Sequence, residues 1–307
     1  MKYLVTGGAG FIGSNIASKL AEQGEQVRIL DNFSSGNEAN VAMLPDDIEV
    51  IDGDIRDYWT VEKAVREIDY VLHQAALPSV PRSVENPLTS NAVNIDGTLN
   101  MLEAARNASV KKLVMASSSS VYGESEELPK HEGMVPSPLS PYAVSKLTCE
   151  FYLQVYWQLY GFATVSLRYF NIFGPRQDPD SDYAAVVPRF ITALLNKQAP
   201  TVFGDGEQSR DFTYIDNCVQ ANILAATTDK MVGDQFNVAC GDQFTLNDLL
   251  DKLRGIIGVD VKAKYAPPRS GDIRHSFATI DKISKFGYKP EMGFEEGLRH
   301  TVEFFRG

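Results

Sequence analysis

A glycine-rich turn near the start of the chain limits most strongly what this sequence can fold into. Residues 6–13 read Thr-Gly-Gly-Ala-Gly-Phe-Ile-Gly and directly follow the apolar segment 4–5. The pattern predicts a strand, a tight turn and a helix. Gly7 and Gly10 let the backbone approach a ligand, and Gly13 lets the helix pack closely on the strand. The free N–H groups at the start of such a helix favour an anion such as a pyrophosphate.

An acidic residue after the second predicted strand indicates which dinucleotide fits this turn. Asp31 lies eighteen residues after Gly13, where a carboxylate can accept hydrogen bonds from the ribose hydroxyls of an adenosine. Because that carboxylate would repel a 2′-phosphate, NAD is favoured over NADP. Asp54 follows the third predicted strand and is expected near the adenine. The alternative is a tight turn of the same shape with no cofactor.

The first two thirds of the chain alternate short apolar runs with amphipathic stretches. The predicted strands are 4–5, 27–30, 48–51, 70–72, 113–115 and 165–167, and the clearest predicted helices are 16–23, 87–107 and 142–160. Alternating strands and helices predict an α/β fold, a Rossmann doubly wound parallel sheet with helices on both faces.

The sequence changes after Asn171, where loops rich in glycine and proline begin. We predict a Rossmann domain over 1–171 that binds NAD, with segments near 211–238 returning to it. Residues 172–307 are predicted to form mainly a smaller α+β domain built around a second ligand.

A tyrosine and a lysine lie one turn apart at the start of a predicted helix. Ser140 is its expected N-cap and Pro141 its first residue, so Tyr142 and Lys146 share a face. A free phenol titrates near about 10, but a neighbouring ammonium and a bound nicotinium would stabilise the phenolate and make it a usable base. An isolated pair of this kind would more often lie on a surface helix. Here the serines of 117–120 follow a strand of the same sheet, at the edge where ligands of open α/β sheets bind.

Taken together, these motifs resemble the extended short-chain dehydrogenase/reductase superfamily, and within it the nucleotide-sugar 4-epimerases. The resemblance covers essentially the whole chain. It is carried by TGGAGFIGSN at 6–15, DN at 31–32, GDIRD at 53–57, HQAALPSVPRSVENP at 73–87, NIDGT at 94–98, SSSSVYG at 117–123, SPYAVSK at 140–146, LRYFNIFGPRQ at 167–177 and SRDFTYIDN at 209–217.

The resemblance implies a role for individual residues. Ser118 would be the catalytic hydroxyl, Tyr142 the base and Lys146 its cofactor-bound partner. The implied NAD contacts are Gly7, Gly10, Phe11, Ile12, Gly13, Asp31, Asn32, Ser35, Gly36, Asp54, Ile55, Gln74, Ala75, Ala76, Asn94, Ser117, Tyr142, Lys146 and Tyr169. The implied contacts with a UDP-sugar are Ser79, Ser118, Ser120, Tyr142, Asn171, Val187, Phe203, Gly204, Arg210, Arg269, Asp272 and Ser276.

One of these positions bears on the identity of the sugar. By the resemblance, Ser276 stands where side-chain size limits the room beside C2 of the hexose, and serine leaves space for an acetamido group. The implied activity is 4-epimerisation of UDP-N-acetylglucosamine and UDP-N-acetylgalactosamine through a transient 4-keto sugar, with UDP-glucose and UDP-galactose as further candidates. Pro78 departs from the small, flexible residue expected beside Ser79.

Three alternatives compete with this activity. Sugar-nucleotide 4,6-dehydratases carry an Asp-Glu pair where Ser119 and Ser120 stand, and two hydroxyls cannot supply that acid and base. A UDP-glucuronate 4-epimerase or decarboxylase needs a cation near the C6 carboxylate, for which Arg82 and Arg176 are the candidates. A non-catalytic NAD-binding sensor or scaffold would be expected to lack the serine, the tyrosine or the lysine.

Composition excludes other classes. Against 40 Asp and Glu there are only 29 Lys and Arg, a formal charge of −11, which argues against binding nucleic acid through a cationic face. The three cysteines and four histidines show no metal-ligand spacing, so no metal is predicted. With no signal peptide and no long apolar run, we expect a soluble, cytoplasmic protein.

The resemblance implies a homodimer built from the helices beginning at Tyr142 and spanning 87–107, although their apolar residues could equally be core.

Overall fold

The computed structural model describes residues 1–179, 185–268 and 274–307. The strands are β1 (Lys2–Thr6), β2 (Gln26–Asp31), β3 (Glu49–Asp52), β4 (Tyr70–His73), β5 (Lys112–Ser118), β6 (Thr164–Tyr169), β7 (Ile172–Phe173), β8 (Thr201–Phe203), β9 (Ser209–Arg210), β10 (Thr213–Tyr214), β11 (Asp234–Val238), β12 (Phe244–Thr245), β13 (Lys264–Ala266) and β14 (His275–Ser276). The α-helices are α1 (Phe11–Glu22), α2 (Glu38–Ala42), α3 (Tyr58–Ala64), α4 (Val80–Glu85), α5 (Pro87–Asn91), α6 (Gly97–Asn107), α7 (Pro141–Tyr160), α8 (Val186–Leu195), α9 (Ile215–Thr227), α10 (Leu246–Ile257), α11 (Asp281–Ser284) and α12 (Phe294–Arg306).

The main sheet has seven strands in the order β11-β6-β5-β4-β1-β2-β3. Every neighbouring pair in it is parallel, so the predicted α/β doubly wound sheet is confirmed. From β1 the chain first extends the sheet through β2 and β3 and then returns to the other side of β1 with β4. Ligands of open α/β sheets bind beyond the carboxyl ends of the strands at such a reversal.

Helices cover both faces of this sheet because its strands are apolar on both sides. One buried cluster includes Ile16 and Leu20 of α1 together with Ala221 of α9. The other, on the opposite face, includes Val61 of α3 and Leu153 of α7. Burial on both faces explains why the strands read as continuous apolar runs instead of alternating ones.

The helix predicted over 142–160 is α7, and its predicted start is confirmed. The Ser140 hydroxyl oxygen accepts a hydrogen bond from the Ala143 N–H, proline occupies the first turn, and Gly161 ends the helix in the left-handed conformation. This cap fixes where Tyr142 and Lys146 stand relative to the sheet.

The helix predicted over 87–107 is interrupted in its middle. A π-helical segment, Ala92–Asp96, separates α5 from α6. Each π turn holds one more residue than an α turn, and such segments often occur beside functional sites. Periodicity alone did not predict this insertion, since the apolar positions on either side still read as one helix.

The later part of the chain forms small sheets next to the main one. β8 pairs with β13, β7 with β10, and β9 lies between β12 and β14. β11 joins the main sheet beside β6, and α9 packs on α1. The domain boundary at residue 171 stays a prediction. In the three described ranges no helix is long and apolar enough to cross a membrane.

Candidate active site

A cavity of about 900 Å³ opens at the carboxyl ends of the central strands. Most of the residues predicted from the sequence as cofactor or catalytic groups line it. They are Gly7, Gly10, Phe11, Ile12, Gly13, Asp31, Asn32, Ser35, Gly36, Asp54, Ile55, Gln74, Ala75, Ala76, Ser117, Ser118, Tyr142, Lys146 and Tyr169. Residues far apart in the chain therefore meet here because parallel strands present their carboxyl ends at one edge.

The glycine turn packs so closely on neighbouring backbone that it has no room for side chains. Gly7 has a φ of +67°, and a Cβ there would lie 2.8 Å from the Ala75 backbone nitrogen. A Cβ on Gly13 would lie 2.1 Å from the Gly7 carbonyl oxygen. Gly10 occupies the N-cap of α1 and has no side chain with which to accept from the first-turn N–H groups. These groups are thus directed to an anionic ligand, as a pyrophosphate requires.

Beside the glycine turn, the cavity wall carries a carboxylate that suits an adenosine ribose. Both oxygens of the buried Asp31 carboxylate accept backbone hydrogen bonds, from Ala9 N–H at 2.9 Å and from Phe33 N–H at 2.9 Å. Since each oxygen has further lone pairs, the carboxylate can also accept from ribose hydroxyls.

Asp54 occupies the adjoining wall. Arg56 pairs with its carboxylate at 2.6 Å and, chiefly through this hydrogen bond, lowers the pKa of Asp54 to about 2. The Arg56 charge is therefore engaged and offers little to a 2′-phosphate, so the described residues fit NAD better than NADP.

The serine, tyrosine and lysine lie on the side of the cavity formed by β5 and α7. Ser118 ends β5, and its oxygen accepts a hydrogen bond from the Ser120 N–H at 3.2 Å, which leaves its O–H free to donate. The Lys146 ammonium donates to the Ala116 carbonyl at 2.8 Å and lies 6.0 Å from the centre of the Tyr142 ring.

Burial shifts the two titrating groups in opposite directions. It raises the pKa of Tyr142 to about 12, an effect partly offset by the Ser118 side chain. It lowers the pKa of Lys146 to about 8, against the raising effects of Cys149 and Glu150. In each case a low-dielectric surrounding disfavours the charged form. At neutral pH the ligand-free site therefore holds a phenol and an ammonium.

A second cavity of about 430 Å³ adjoins the first. Val187, Phe203 and Arg210 line it, and Asn171 lines both cavities. The Arg210 guanidinium donates to the Ser209 carbonyl at 2.8 Å. The predicted substrate residues thus fall next to the cofactor residues, with Asn171 at the junction.

Several predicted contacts lie outside the walls of both cavities. The Ser79 oxygen caps α4 by accepting from Arg82 N–H, and the buried Asn94 side chain accepts from Leu77 N–H at 2.8 Å and donates to Ser145 Oγ at 3.0 Å. Ser120, whose buried hydroxyl has no partner among the described residues, Gly204 and Ser276 also lie away from the walls. Their ligand roles stay predictions. Arg269 and Asp272 lie outside the described residues.

The structure adds residues that sequence reasoning did not select. Thr89 and Val93 line the first cavity together with Arg82, which the sequence had suggested only for a C6 carboxylate, and Phe304 and Phe305 of α12 line it as well. The motif at 73–87, which follows β4 and ends just before Thr89, was a usable signal for this wall. No local pattern marks the two phenylalanines, which tertiary packing alone brings to the site.

No metal centre is evident in the part of the chain that the structure describes. Within it, no group of three or more His, Cys, Asp or Glu side chains could hold an ion.

Comparison with known proteins places these features in context. The sequence model of the "NAD dependent epimerase/dehydratase family" matches residues 3–239. A putative UDP-glucose 4-epimerase of Methanocaldococcus jannaschii is 40% identical over 305 residues, which cover 99% of this chain and 98% of that protein.

Two solved structures are similar along their whole length. The UDP-N-acetylglucosamine 4-epimerase from Methanobrevibacter ruminantium, in complex with UDP-N-acetylmuramic acid, has a TM-score of 0.94 and 45% identity, covering 99% of this chain and 98% of its own. The UDP-glucose 4-epimerase of Thermus thermophilus, in complex with NAD, has a TM-score of 0.92 and 40% identity, covering 100% of this chain and 99% of its own.

The Asp31 carboxylate is predicted to discriminate between the two nicotinamide dinucleotides. We expect NAD to bind on the order of 100-fold more tightly than NADP, and Asp31→Asn to reduce this ratio at least tenfold because it removes the charge that repels a 2′-phosphate. Titration calorimetry with both dinucleotides measures the ratio. Asp52→Asn is the matched control, since Asp52 pairs with Asp31 across β2 and β3 but does not line the cavity. An unchanged ratio in Asp31→Asn would contradict the assignment.

Proposed function

Because this chain belongs to the NAD dependent epimerase/dehydratase family, we propose that it is a UDP-N-acetylglucosamine 4-epimerase that also acts on UDP-glucose. It is an enzyme of the UDP-sugar 4-epimerase kind, and NAD is its cofactor. One observation carries the proposal: Ser118, Tyr142 and Lys146 line the same cavity as the glycine turn and Asp31. A base and a hydrogen-bond donor then stand beside the place where a dinucleotide fits.

The reaction divides between cofactor and side chains. The glycine turn and Asp31 would hold NAD in the larger cavity, where it would supply reversible hydride exchange with C4 of the sugar. Tyr142 accepts the proton of the 4-hydroxyl and later gives it back, while the Ser118 hydroxyl donates a hydrogen bond to the same oxygen. Lys146 supplies positive charge that stabilises the Tyr142 phenolate.

The two adjoining cavities suit a substrate with two parts. The walls of the smaller cavity, including Val187, Phe203 and Arg210, would hold the uridine diphosphate. The hexose would then lie near Ser118 and Tyr142, where a 4-keto sugar could turn over. Arginine suits the diphosphate because its guanidinium can donate to two oxygens at once.

The function is tested directly with the NAD-loaded protein. UDP-N-acetylglucosamine, UDP-N-acetylgalactosamine, UDP-glucose and UDP-galactose are each supplied, and the two 4-epimers are separated and measured. We expect interconversion within each pair and a loss of about 10²- to 10⁴-fold in Tyr142→Phe, since the base is removed. If none of the four UDP-sugars is converted, the proposal is refuted. A Tyr142→Phe protein with full activity would favour a non-catalytic reading of these three residues.

The opposite pKa shifts predict how the rate depends on pH. The rate should rise with pH as Tyr142 loses its proton, because the positive charge of a bound nicotinium would lower the pKa of this phenol from about 12. The rate should fall again above about pH 8, where the Lys146 ammonium loses its proton. Lys146→Met should lower kcat about 100-fold and abolish the alkaline decline. Steady-state rates measured between about pH 5 and 10 follow both the rise and the decline. A decline at high pH that persists in Lys146→Met would have another origin.

The preference for acetylated sugars is proposed from Ser276. The residue lies on β14, in register with Arg210 of β9, and Arg210 lines the smaller cavity. A bulky side chain at this position would reduce the room beside a sugar whose diphosphate lies there.

Ser276→Tyr is therefore predicted to separate the two substrate pairs. The rate on UDP-N-acetylglucosamine should fall at least tenfold, while the rate on UDP-glucose changes less than about threefold, because only the former carries the acetamido group. Side-by-side kcat/KM values measure this, with Ser276→Ala as the small-residue control. Equal losses on both substrates would contradict the pocket assignment.

A second candidate function is epimerisation or decarboxylation of UDP-glucuronate. Arg82 and Arg176 both line the larger cavity, where they could face a C6 carboxylate. Arg176 also donates to the Ser14 carbonyl at 2.8 Å, which engages part of its guanidinium. Supplying UDP-glucuronate, with separate detection of the 4-epimer and of carbon dioxide, distinguishes this activity.

We further propose a homodimer formed through α7 and the helices before it. Leu102 of α6 is buried within the chain, whereas Phe151 and Leu159 of α7 are 54% and 71% exposed. The helix α5 packs against α7, and its Leu88 is 83% exposed. Such a patch favours association. Light scattering should give a dimer for the native chain and a monomer for Phe151→Asp; a native monomer would contradict the proposal.

A further inference from the structure

A buried ion pair lies directly beneath the proposed catalytic residues. Glu150 is one helical turn after Lys146 on α7, on the side that faces the sheet, and Arg168 belongs to β6. The Arg168 guanidinium donates to the Glu150 carboxylate twice, from Nε at 2.9 Å and from Nη2 at 2.7 Å. Both side chains are only 2% exposed. Of the two groups, only Glu150 enters the chemistry described above, through its raising effect on the pKa of Lys146.

This pair holds the polypeptide on both sides of Ser118. On one side, the Ser117 hydroxyl donates to the Glu150 carboxylate at 2.5 Å. On the other, the Arg168 guanidinium stacks on the Tyr122 ring, 4.7 Å from its centre. Ser118 and the short helical turn at 119–122 lie between these two contacts.

Strand register completes the support. Ser117 of β5, Arg168 of β6 and Asn237 of β11 are neighbours in one row across three parallel strands. The Tyr122 hydroxyl donates to the Asn237 side chain at 2.6 Å, so the contacts form a closed ring. Because α7 carries both Glu150 and Lys146, the ring joins the strand that ends in Ser118 to the helix that carries the proposed base.

We propose that Glu150 and Arg168 are positioning residues that fix the Ser118 hydroxyl against Tyr142 and Lys146. The inference rests on the proposed function for the roles of those three residues. The inference follows from the desolvation cost of a buried ion pair. Two charges removed from water gain little net stability, and apolar residues of similar size often replace such pairs without loss of stability. A purely stabilising role would not require charges here, whereas orientation of three elements at once does use directional, bidentate contacts.

The decisive variant removes both charges together. Glu150→Leu with Arg168→Met leaves no unpaired charge buried and keeps the net charge of the site. We expect a thermal midpoint close to that of the native protein, a kcat reduced on the order of 10- to 100-fold by the misplaced hydroxyl, and a KM changed less than about threefold. The matched control is Glu103→Leu with Arg106→Met, an ion pair of α6 that contacts α7 through Tyr156 but lies away from the cavity. It should retain the native kcat.

A double-mutant cycle tests whether the pair acts through Ser118. If it does, adding Ser118→Ala to the double variant should lower kcat by less than about twofold beyond Ser118→Ala alone. Multiplication of the two separate losses would show that the pair acts elsewhere and would overturn the proposal. So would a correctly folded double variant with a native kcat.

A measurement independent of turnover completes the design. The Tyr142 phenol is titrated by ultraviolet absorbance in the NAD-loaded protein, as the difference from the same variant carrying Tyr142→Phe. Since the Ser118 side chain lowers the pKa of Tyr142, displacing that hydroxyl should move the midpoint to higher pH, in the double variant as in Ser118→Ala. An unchanged midpoint in the double variant would overturn the proposal.

These readouts separate the two hypotheses. If the native protein converts none of the UDP-sugars, the proposed function fails, and the absorbance titration still decides the positioning role. If the double variant does not fold, Arg168→Lys serves instead, since it keeps the charge but loses the bidentate and stacking contacts. Arg168→Lys should lower kcat about three- to tenfold and raise the pH midpoint of the Tyr142 titration. Native values of both quantities would refute the inference.

Discussion

Parallel pairing of the seven strands is the constraint on which the rest of the structure depends. Parallel strands cannot be joined by tight hairpins, so each connection crosses a face of the sheet and returns to the same end. All the loops that follow the strands therefore meet at one edge. Asp31 at the end of β2, Asp54 after β3 and Ser118 at the end of β5 face one cavity for this reason. The reversal between β1 and β4 opens the crevice in which they lie.

Burial at this edge also shifts the pKa values of the proposed catalytic groups. The cavity wall that holds Tyr142 and Lys146 excludes water enough to raise the pKa of the phenol and lower that of the ammonium. In the ligand-free protein this shifts both groups toward their uncharged forms. Bound ligands change the balance, because a positive charge beside the phenol favours its ionised form. The proposed base is thus active mainly when the site is occupied.

Much of the site was accessible from sequence because its signals are local. The spacing of Gly7, Gly10 and Gly13 reflects a single turn, and the Ser140 cap sets the faces of one helix. Asp31 could be placed because it ends a strand of predictable length. The π-helical segment shows the limit, because the sequence pattern did not predict it. It carries Asn94, whose side chain bonds to Leu77 and Ser145 and whose cofactor contact stays a prediction. The apolar positions on either side of this segment read as one continuous helix, so the change in hydrogen bonding was not visible in the pattern.

Local chemistry in the sequence thus determined the α/β class, the dinucleotide turn and the likeness to epimerases, since each depends on residues close together along the chain. Tertiary structure alone decided that Phe304 and Phe305 enter the cavity and that Asn171 lies where the two cavities meet. It also brought Arg168 against Glu150 and Tyr122. These contacts join segments separated by many residues, and their geometry depends on strand order and helix packing, which no short stretch of sequence encodes.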